Sequence, residues 1–141
     1  GDKSGMTGTG TIVEGIAALL AGCGYKIFTE NVKQYRGAPA AVIAVSGERI
    51  APAGPRLVER SVTAEVTSAD GDYMTNEGFY RFSEEMMKRI LMPVSFDGRC
   101  ILPENAELLH EGGRGICRFV LRFLDDAEET RQGQSMEELV I

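Results

Sequence analysis

Residues 57–67 read Leu-Val-Glu-Arg-Ser-Val-Thr-Ala-Glu-Val-Thr, and this alternation is the strongest fold signal in the chain. Successive side chains of a β-strand point to opposite faces, so apolar and polar residues here separate onto two faces. The apolar face carries Val58, Val62, Ala64 and Val66, and the polar face carries Glu59, Ser61, Thr63 and Glu65. The pattern predicts a long, half-exposed strand. Arg60 stands on the apolar side, where we expect its stem to run along the core and its charge to stay in water.

Two further strands are predicted upstream. Residues 40–45 are continuously apolar, which is typical of a strand covered on both faces, so we expect this strand at the centre of the sheet. Residues 46–55 contain two glycines and two prolines, and because proline cannot donate a ladder hydrogen bond they are predicted to form a loop. A short strand is predicted at residues 25–29, followed by a polar connection over residues 30–39.

The first helix is predicted over residues 11–22. Thr11 and Glu14 have the spacing of a capping box, and two glycines follow the last apolar residue. The apolar residues at helical spacing are Ile12, Ile16, Leu19 and Leu20. Gly15 inside this helix costs about 1 kcal/mol relative to Ala, unless its missing side chain lets another element approach closely.

A second helix is predicted over residues 76–91, capped by Thr75 or Asn76 and ended by Pro93. Its buried stripe is predicted to consist of Phe79, Phe82, Met86, Ile90 and Leu91. Its exposed side is predicted to hold the i,i+4 ion pairs Glu84 with Lys88 and Glu85 with Arg89.

The remaining chain is typical of strands separated by turns. Strands are predicted at residues 94–96, in pieces at 100–110 around Pro103, and at 114–124. Glycine-containing turns separate them, which gives hairpin-like spacing within each group of strands. The order of elements therefore predicts an α+β fold, a mainly antiparallel sheet with two helices packed on one face.

The 141 residues are predicted to form a single domain over residues 11–125. We expect a flexible N-terminus at residues 1–10, with glycines typical of an expression remnant, and an acidic C-terminal tail at residues 126–141. Six carboxylates and one arginine from residue 125 onward give a charge of −5, so only −1 of the net −6 falls on residues 1–124. This balance argues against direct nucleic-acid binding, and the apolar runs are too short to span a membrane.

Residues that carry chemistry are scarce. His110 is the single histidine, and it lies beside Glu111 without a nucleophile at a recognisable spacing. The three cysteines form no CxxC pair and are predicted to be small buried hydrophobes in a reducing cytoplasm. The chain lacks the local ligand spacings of zinc and calcium sites and the Lys-Ser/Thr ending of a phosphate loop. The sequence therefore predicts a non-enzymatic protein with no catalytic, cofactor-binding or metal residues.

An arginine stripe on the last strand allows two interpretations. Alternation places Arg114, Arg118 and Arg122 on one face with Ile116 and Val120, opposite the aromatic core face. The first interpretation is a solvated sheet surface, paired across strands with Glu59, Glu65 or Glu107. The second is a surface that meets another subunit or a polyanion, because arginine is favoured in interfaces and in phosphate contacts.

Residues 24–34, Gly-Tyr-Lys-Ile-Phe-Thr-Glu-Asn-Val-Lys-Gln, follow the N-terminal helix and precede Pro39 and an apolar strand. This segment, with the layout of residues 11–125, resembles the bacteriophage tail terminator (tail-completion) proteins of prophages in Gram-positive bacteria. The resemblance implies a homo-oligomer, a hexameric ring that caps the tail tube and meets the head connector. It also implies a place in the virion, and in the host bacterial cytoplasm during assembly.

A ring needs a head-to-tail interface, so one edge of a subunit must complement a different edge of its neighbour. We expect the contacts to come from the loop 46–55, the segment 30–37 and the arginine face. The candidate interface residues are Glu30, Asn31, Lys33, Gln34, Arg49, Arg60, Arg114, Arg118 and Arg122.

Two alternatives stay open. One is another phage head–tail joining or tube-associated protein of similar build. The other is a small-ligand-binding α+β module, for which Tyr25, Phe28, Tyr73 and Tyr80 offer aromatic surface around a pocket.

Overall fold

The computed structural model describes residues 6–30, 39–69, 71 and 73–127. Within these residues it contains two helices and seven strands. In chain order they are α1 Thr9–Leu20, β1 Lys26–Phe28, β2 Ala40–Gly54, β3 Leu57–Ser68, α2 Asn76–Ile90, β4 Val94–Phe96, β5 Arg99–Ile101, β6 Glu104–Glu111 and β7 Arg114–Asp126. No helix among these residues is long and apolar enough to cross a membrane.

Five strands form one sheet in the order β1-β2-β3-β7-β6, and β4 and β5 form a separate two-stranded hairpin. The pair β1 and β2 is parallel, and every other pairing is antiparallel. Both helices contribute to the same apolar core on one face of the large sheet. The predicted α+β fold, with a mainly antiparallel sheet and helices on one face, is confirmed.

The core lies between that sheet face and the two helices. Its largest fully buried apolar side chains are Phe82, Phe119, Ile12, Ile16, Leu20, Ile43, Met86, Leu121, Val62, Val66 and Val94. The alternation predicted for β3 is confirmed, because Val58, Val62, Ala64 and Val66 are buried on the core side while Glu59, Ser61, Thr63 and Glu65 face away. The central strand is therefore β3, flanked by β2 and β7.

The apolar run predicted at the centre of the sheet instead begins β2, one strand away from the centre. It is nevertheless covered on both faces at its start. Ala41 and Ile43 belong to the main core, while Ala40 and Val42 pack with Ala69 on the opposite face. The prediction of burial on both faces was right for these residues, and the prediction of a central position was wrong.

The loop predicted at residues 46–55 is also wrong. β2 continues to Gly54 and forms a hairpin with β3, turning at residues 55–56. Pro52 is accommodated opposite Val58 because no described strand lies on the outer side of β2 here, so its missing N–H breaks no ladder. The register of β2 against β3 shifts between Val45 and Gly47 and again between Pro52 and Gly54, so one residue at each place bulges out of the pairing.

Helix α1 begins two residues earlier than predicted. Gly8 is its N-cap, and no side chain caps the helix, so the predicted capping box is not formed. The N–H groups of Thr11 and Ile12 both bond to the Gly8 carbonyl, at 3.1 and 3.3 Å, which places Thr11 inside the first turn. The helix ends at Leu20, two residues before the predicted end.

Gly15 of α1 is buried against β4. A Cβ atom at this position would lie 2.6 Å from the Ser95 carbonyl oxygen and 3.2 Å from Phe96 Cβ. The expectation that this glycine permits a close approach is confirmed, because helix and strand could not pack at this distance with any larger residue.

Helix α2 begins as predicted, with Thr75 Oγ1 accepting a 3.0 Å hydrogen bond from the Gly78 N–H. Phe82, Met86 and Ile90 are buried, but the predicted stripe is too wide. Leu91 lies beyond the last turn and is 78% exposed, and Phe79 is only partly buried.

The ion pairs predicted on α2 are absent from it. Lys88 pairs instead with Glu85 at 3.5 Å, an i,i+3 arrangement. Arg89 donates a 3.2 Å hydrogen bond to the Leu19 carbonyl oxygen, because the end of α1 lies beside it. Arg89 therefore links the two helices.

Both ends of the described chain differ from the prediction. Thr9 and Gly10 belong to α1, and Thr7 is buried, so these residues are ordered parts of the fold, whereas residues 1–5 lie outside the described residues. At the other end β7 extends through Asp126, and Asp125 is 1% exposed. Asp125 therefore belongs to the core, and the tail predicted over 126–141 lies outside the described residues from position 128 onward.

Candidate functional site

Because both helices pack on one side of the large sheet, no described helix covers its other side. We call this side the helix-free face. It consists of the side chains of the sheet that point away from the core. Residues paired across neighbouring strands point to the same face, so the register identifies which residues belong to it. Its main residues are Ala44, Arg49, Ser61, Thr63, Glu65, Thr67, Glu104, Glu107, Leu109, Glu111, Arg114, Ile116, Arg118, Val120 and Arg122.

The arginines of β7 lie on this face as predicted, and each has a partner. Arg118 bonds Glu65 at 2.7 Å and Glu107 at 3.4 Å. Arg122 pairs with Glu104 at 3.1 Å. These contacts agree with the interpretation of a paired sheet surface, although Glu104 takes the place that was predicted for Glu59.

The pairing decides against a polyanion site on this face. Its four arginines, Arg49 included, are matched by at least as many carboxylates of the same face, among them Glu65, Glu104, Glu107 and Glu111, and Arg114 donates a 3.3 Å hydrogen bond to the Ser68 carbonyl oxygen. A surface that attracts phosphate groups needs uncompensated positive charge. The helix-free face is better suited to contact with a protein of mixed charge.

Two shallow depressions lie on either side of the Arg118–Glu65 pair. One measures about 490 Å³ and the other about 320 Å³. The first is lined by Thr63, Asn105, Ala106, Glu107, Arg118 and Val120. The second is lined by Val42, Ala44, Glu65, Thr67, Ser68, Ala69 and Arg114. The face is therefore uneven, and its hollows are lined by small or apolar side chains together with charged ones.

The large sheet has two different open strand edges. On one side, β6 is the last strand, and we call Glu104–Glu111 the β6 edge. On the other side, β1 pairs only with residues 40–42 of β2. Beyond them, residues 44–54 have no strand partner on their outer side among the described residues, and we call this segment the β2 edge.

Arg49 lies on the β2 edge, in register with Ser61, so it points to the helix-free face. It is exposed and makes no ion pair or hydrogen bond with a described side chain. The prediction placed it in a loop, whereas the structure places it in a strand.

Arg60 occupies a different environment from the one predicted. It is 3% exposed, and its guanidinium bonds Glu48, Asp125 Oδ2 and the Thr7 carbonyl oxygen. Arg99 bonds the other Asp125 oxygen at 3.0 Å, completing a buried ionic cluster. Arg60 is therefore not available to a partner, and the prediction that it is an interface residue was wrong.

Charges in the buried cluster stabilise one another. Burial alone would raise the pKa of Asp125, but hydrogen bonds from Arg60 and from the N–H groups of Thr7 and Asp126 hold it below its ordinary value. Burial alone would lower the pKa of Arg60, yet its bonds to Glu48 and Asp125 raise it. Asp125 and Arg60 are consequently both ionised at neutral pH.

The predicted segment 30–37 is mostly outside the described residues. Glu30 is exposed just after β1, whereas Asn31, Lys33 and Gln34 fall in the undescribed range 31–38. Only Glu30 of this group can be placed on the fold.

Aromatic residues considered for ligand binding are only partly brought together. Tyr25 and Tyr73 line a cleft of about 310 Å³, with Arg81 and Glu85 on its α2 wall. Phe28 packs on the other side of the sheet, and Tyr80 is 61% exposed, so two of the four predicted residues share a site.

The isolated histidine has a packing role. His110 Nε2 lies 3.0 Å from the Met74 carbonyl oxygen, and its ring stacks on Phe79 with centroids 4.8 Å apart. Within the described residues, no group of three His, Cys, Asp or Glu side chains is placed to hold a metal ion.

No family model and no curated protein matches the sequence of this chain.

Sequence reasoning missed the residues that define the two edges and the buried cluster. Glu104 and Glu111 were not among the candidate interface residues, and Asp125 was counted with the acidic residues that follow it, after a strand predicted to end at residue 124. The alternation of Phe119, Leu121 and Phe123 could have identified Asp125, since the next residue on that face is position 125.

Proposed function

We propose that this protein is a structural subunit of a bacteriophage or prophage tail, a terminator that forms a ring, caps the tail tube and joins it to the head connector. The observation that carries the proposal is the pair of open strand edges on opposite sides of one sheet. A closed ring of identical subunits requires two different surfaces that complement each other, and these edges supply two such surfaces.

The helix-free face supports the same proposal. Its arginines are matched by carboxylates of the same face, its hollows combine small or apolar side chains with charged ones, and no described helix covers it. Such a face suits packing against a protein surface, with arginines already held in position for an interface. A tube end or a connector subunit is the partner that a terminator would place there.

Tube length provides the test. Tail-tube subunits should polymerise into long tubes alone, and into tubes of restricted length when this protein is added before polymerisation. Negative-stain electron microscopy measures the lengths, and native mass spectrometry measures the number of subunits in the ring. Unchanged tube lengths at a molar excess of the protein would contradict the terminator function.

Another head–tail joining or tube-associated protein would use the same surfaces at a different place in the particle. A gold-labelled affinity tag on assembled particles distinguishes the two. A terminator carries the label at the tube end that meets the head, whereas a label elsewhere along the tail supports the alternative.

A further inference from the structure

We infer that the β6 edge of one copy pairs with the β2 edge of the next copy, so that the sheet continues from subunit to subunit. This inference rests on the proposed ring and names the surfaces that would close it. The occupant of each edge is a second copy of this chain.

Strand directions determine how the two edges would meet. Three successive antiparallel pairings, β2 with β3, β3 with β7 and β7 with β6, make β2 and β6 run in opposite directions. Rotation about an axis roughly parallel to the strands preserves those directions in every copy. The β6 edge would therefore meet a neighbouring β2 edge as an antiparallel pair, the arrangement already used through most of the sheet.

Irregularities limit the pairing to one short segment on each edge. On the β2 edge, the bulges on either side leave residues 47–51 as a regular stretch that ends before Pro52. On the β6 edge, Asn105 has a φ of 54° within the register shift between Glu104 and Glu107, which leaves residues 107–111 regular. Bulges and proline also protect edges from unregulated pairing, so these two segments are the parts left free to pair.

Charge complementarity favours this contact. When residues 47–51 and 107–111 are aligned antiparallel about their centres, Arg49 lies opposite Leu109, with Glu107 and Glu111 as its diagonal neighbours. All four side chains point to the helix-free face in the isolated subunit, and they would share that face in the continued sheet. Diagonal neighbours are about 7–8 Å apart, within reach of an arginine side chain.

Two of these three charges have no ion-pair partner in the single subunit, whereas Glu107 is bound by Arg118. Arg49 and Glu111 are exposed, and neither has an ion-pair partner within the described part of the chain. Of the acidic residues near Arg49, Glu48 points to the other face and is bound by Arg60, and Glu59, a diagonal neighbour on the helix-free face, makes no ion pair with a described residue. In the proposed contact, the unpaired guanidinium of Arg49 on the β2 edge would therefore lie near the unpaired carboxylate of Glu111 on the β6 edge.

Charge reversal tests the contact. Sedimentation velocity should show that Arg49→Glu and Glu111→Arg each weaken self-association by about tenfold or more, because like charges then face each other across the interface. The double variant should recover most of the loss, because its charges are exchanged. Arg81→Glu is the matched control, an identical charge change at an exposed residue of α2 without a described partner, and it should associate like the parent protein.

Amide hydrogen exchange gives an independent measurement. On assembly, protection should rise in residues 47–51 and 107–111, because pairing occupies edge N–H groups that have no strand partner among the described residues of the subunit. Assembly without new protection in both segments would overturn the inference.

These experiments test the contact between the two edges separately from the proposed terminator function. If Arg49→Glu and Glu111→Arg form rings and restrict tubes as the parent protein does, the edge contact is wrong and the terminator function stands. If the double variant associates no better than the single variants, the edge contact is also wrong. A parent protein that stays monomeric at every concentration and with tube subunits overturns both proposals.

Discussion

Arg60 Nη1 donates a 2.9 Å hydrogen bond to Asp125 Oδ2, and the two side chains are 4% and 1% exposed. The pair is diagonal across the central strands, since Arg60 is in register with Phe123 and Asp125 with Val58. It connects three parts of the chain, because the N–H of Thr7 also bonds Asp125 at 2.8 Å. The segment before α1 is thereby attached to the central strands.

Aromatic packing shields this cluster from water. The guanidinium carbons of Arg60 and Arg99 lie 5.4 and 5.3 Å from the centre of the Phe123 ring, within the range of a cation–π contact. Phe96 meets the same ring edge-on at 5.1 Å. The hairpin of β4 and β5 therefore supplies both a charge and an apolar cover.

Removing the charge of Asp125 should be strongly destabilising. Asp125→Asn preserves the shape of the side chain but leaves the buried guanidinium of Arg60 with less compensating charge, so we expect a loss of about 3–5 kcal/mol in the free energy of unfolding. Urea denaturation followed by circular dichroism measures it. The control is Arg122→Gln, which breaks an exposed ion pair and should cost about 0–1 kcal/mol. Equal losses in the two variants would contradict the structural role of Asp125.

Stability should fall in acid, in a manner that depends on Asp125. Its pKa is lowered in the folded state, so its contribution is complete above the unfolded-state value of about 3.9 and is lost as pH falls through the folded-state value. Urea midpoints measured from pH 7 downward should therefore decline less steeply below about pH 5 in Asp125→Asn than in the parent protein. Identical slopes in the two proteins would disprove this linkage.

Alternation in the sequence predicted where Arg60 lies but not what it binds. The period of two put Arg60 on the core face of β3, and the same period places Asp125 on the core face of β7. Their contact depends on the pairing of strands 65 residues apart, which no local pattern encodes. Without that pairing, Asp125 was grouped with the acidic residues that follow it.

Residues 46–54 were predicted to be a loop because of their proline and glycine content, but the effect of a proline depends on its place in a sheet. Pro52 disrupts a central strand but is compatible with an open edge, and the edge status of residues 44–54 follows from how little of β2 is covered by β1. The same long-range arrangement creates the β2 edge and the exposed position of Arg49. The class of fold and the face that carries Arg114, Arg118 and Arg122 could be predicted from local periodicity, whereas the two open edges of the sheet could not.

The close packing of α1 on β4 gives a matched pair of substitutions. Gly15→Ala should lower the free energy of unfolding by about 1–3 kcal/mol despite a better helix propensity, because the new Cβ meets the fixed Ser95 carbonyl oxygen. Gly10→Ala, in the same helix with no atom within 4 Å of its added Cβ, should raise it by about 0.4–1 kcal/mol. Thermal and urea denaturation of both variants measure the changes. Changes of the same sign would show that propensity, rather than packing, decides at Gly15.

Thiol reactivity should separate the three cysteines. Cys23 and Cys117 are buried as predicted, whereas Cys100 is exposed, so the prediction of burial was wrong for Cys100. Burial also raises the pKa of Cys117 to about 12, which leaves almost no thiolate at neutral pH. A coloured disulfide reagent should label one thiol rapidly in the folded protein and three in denaturant, and Cys100→Ser should remove the rapid phase. Two rapid thiols in the folded protein would mean that the core around Cys23 or Cys117 opens to solvent far more often than its packing implies.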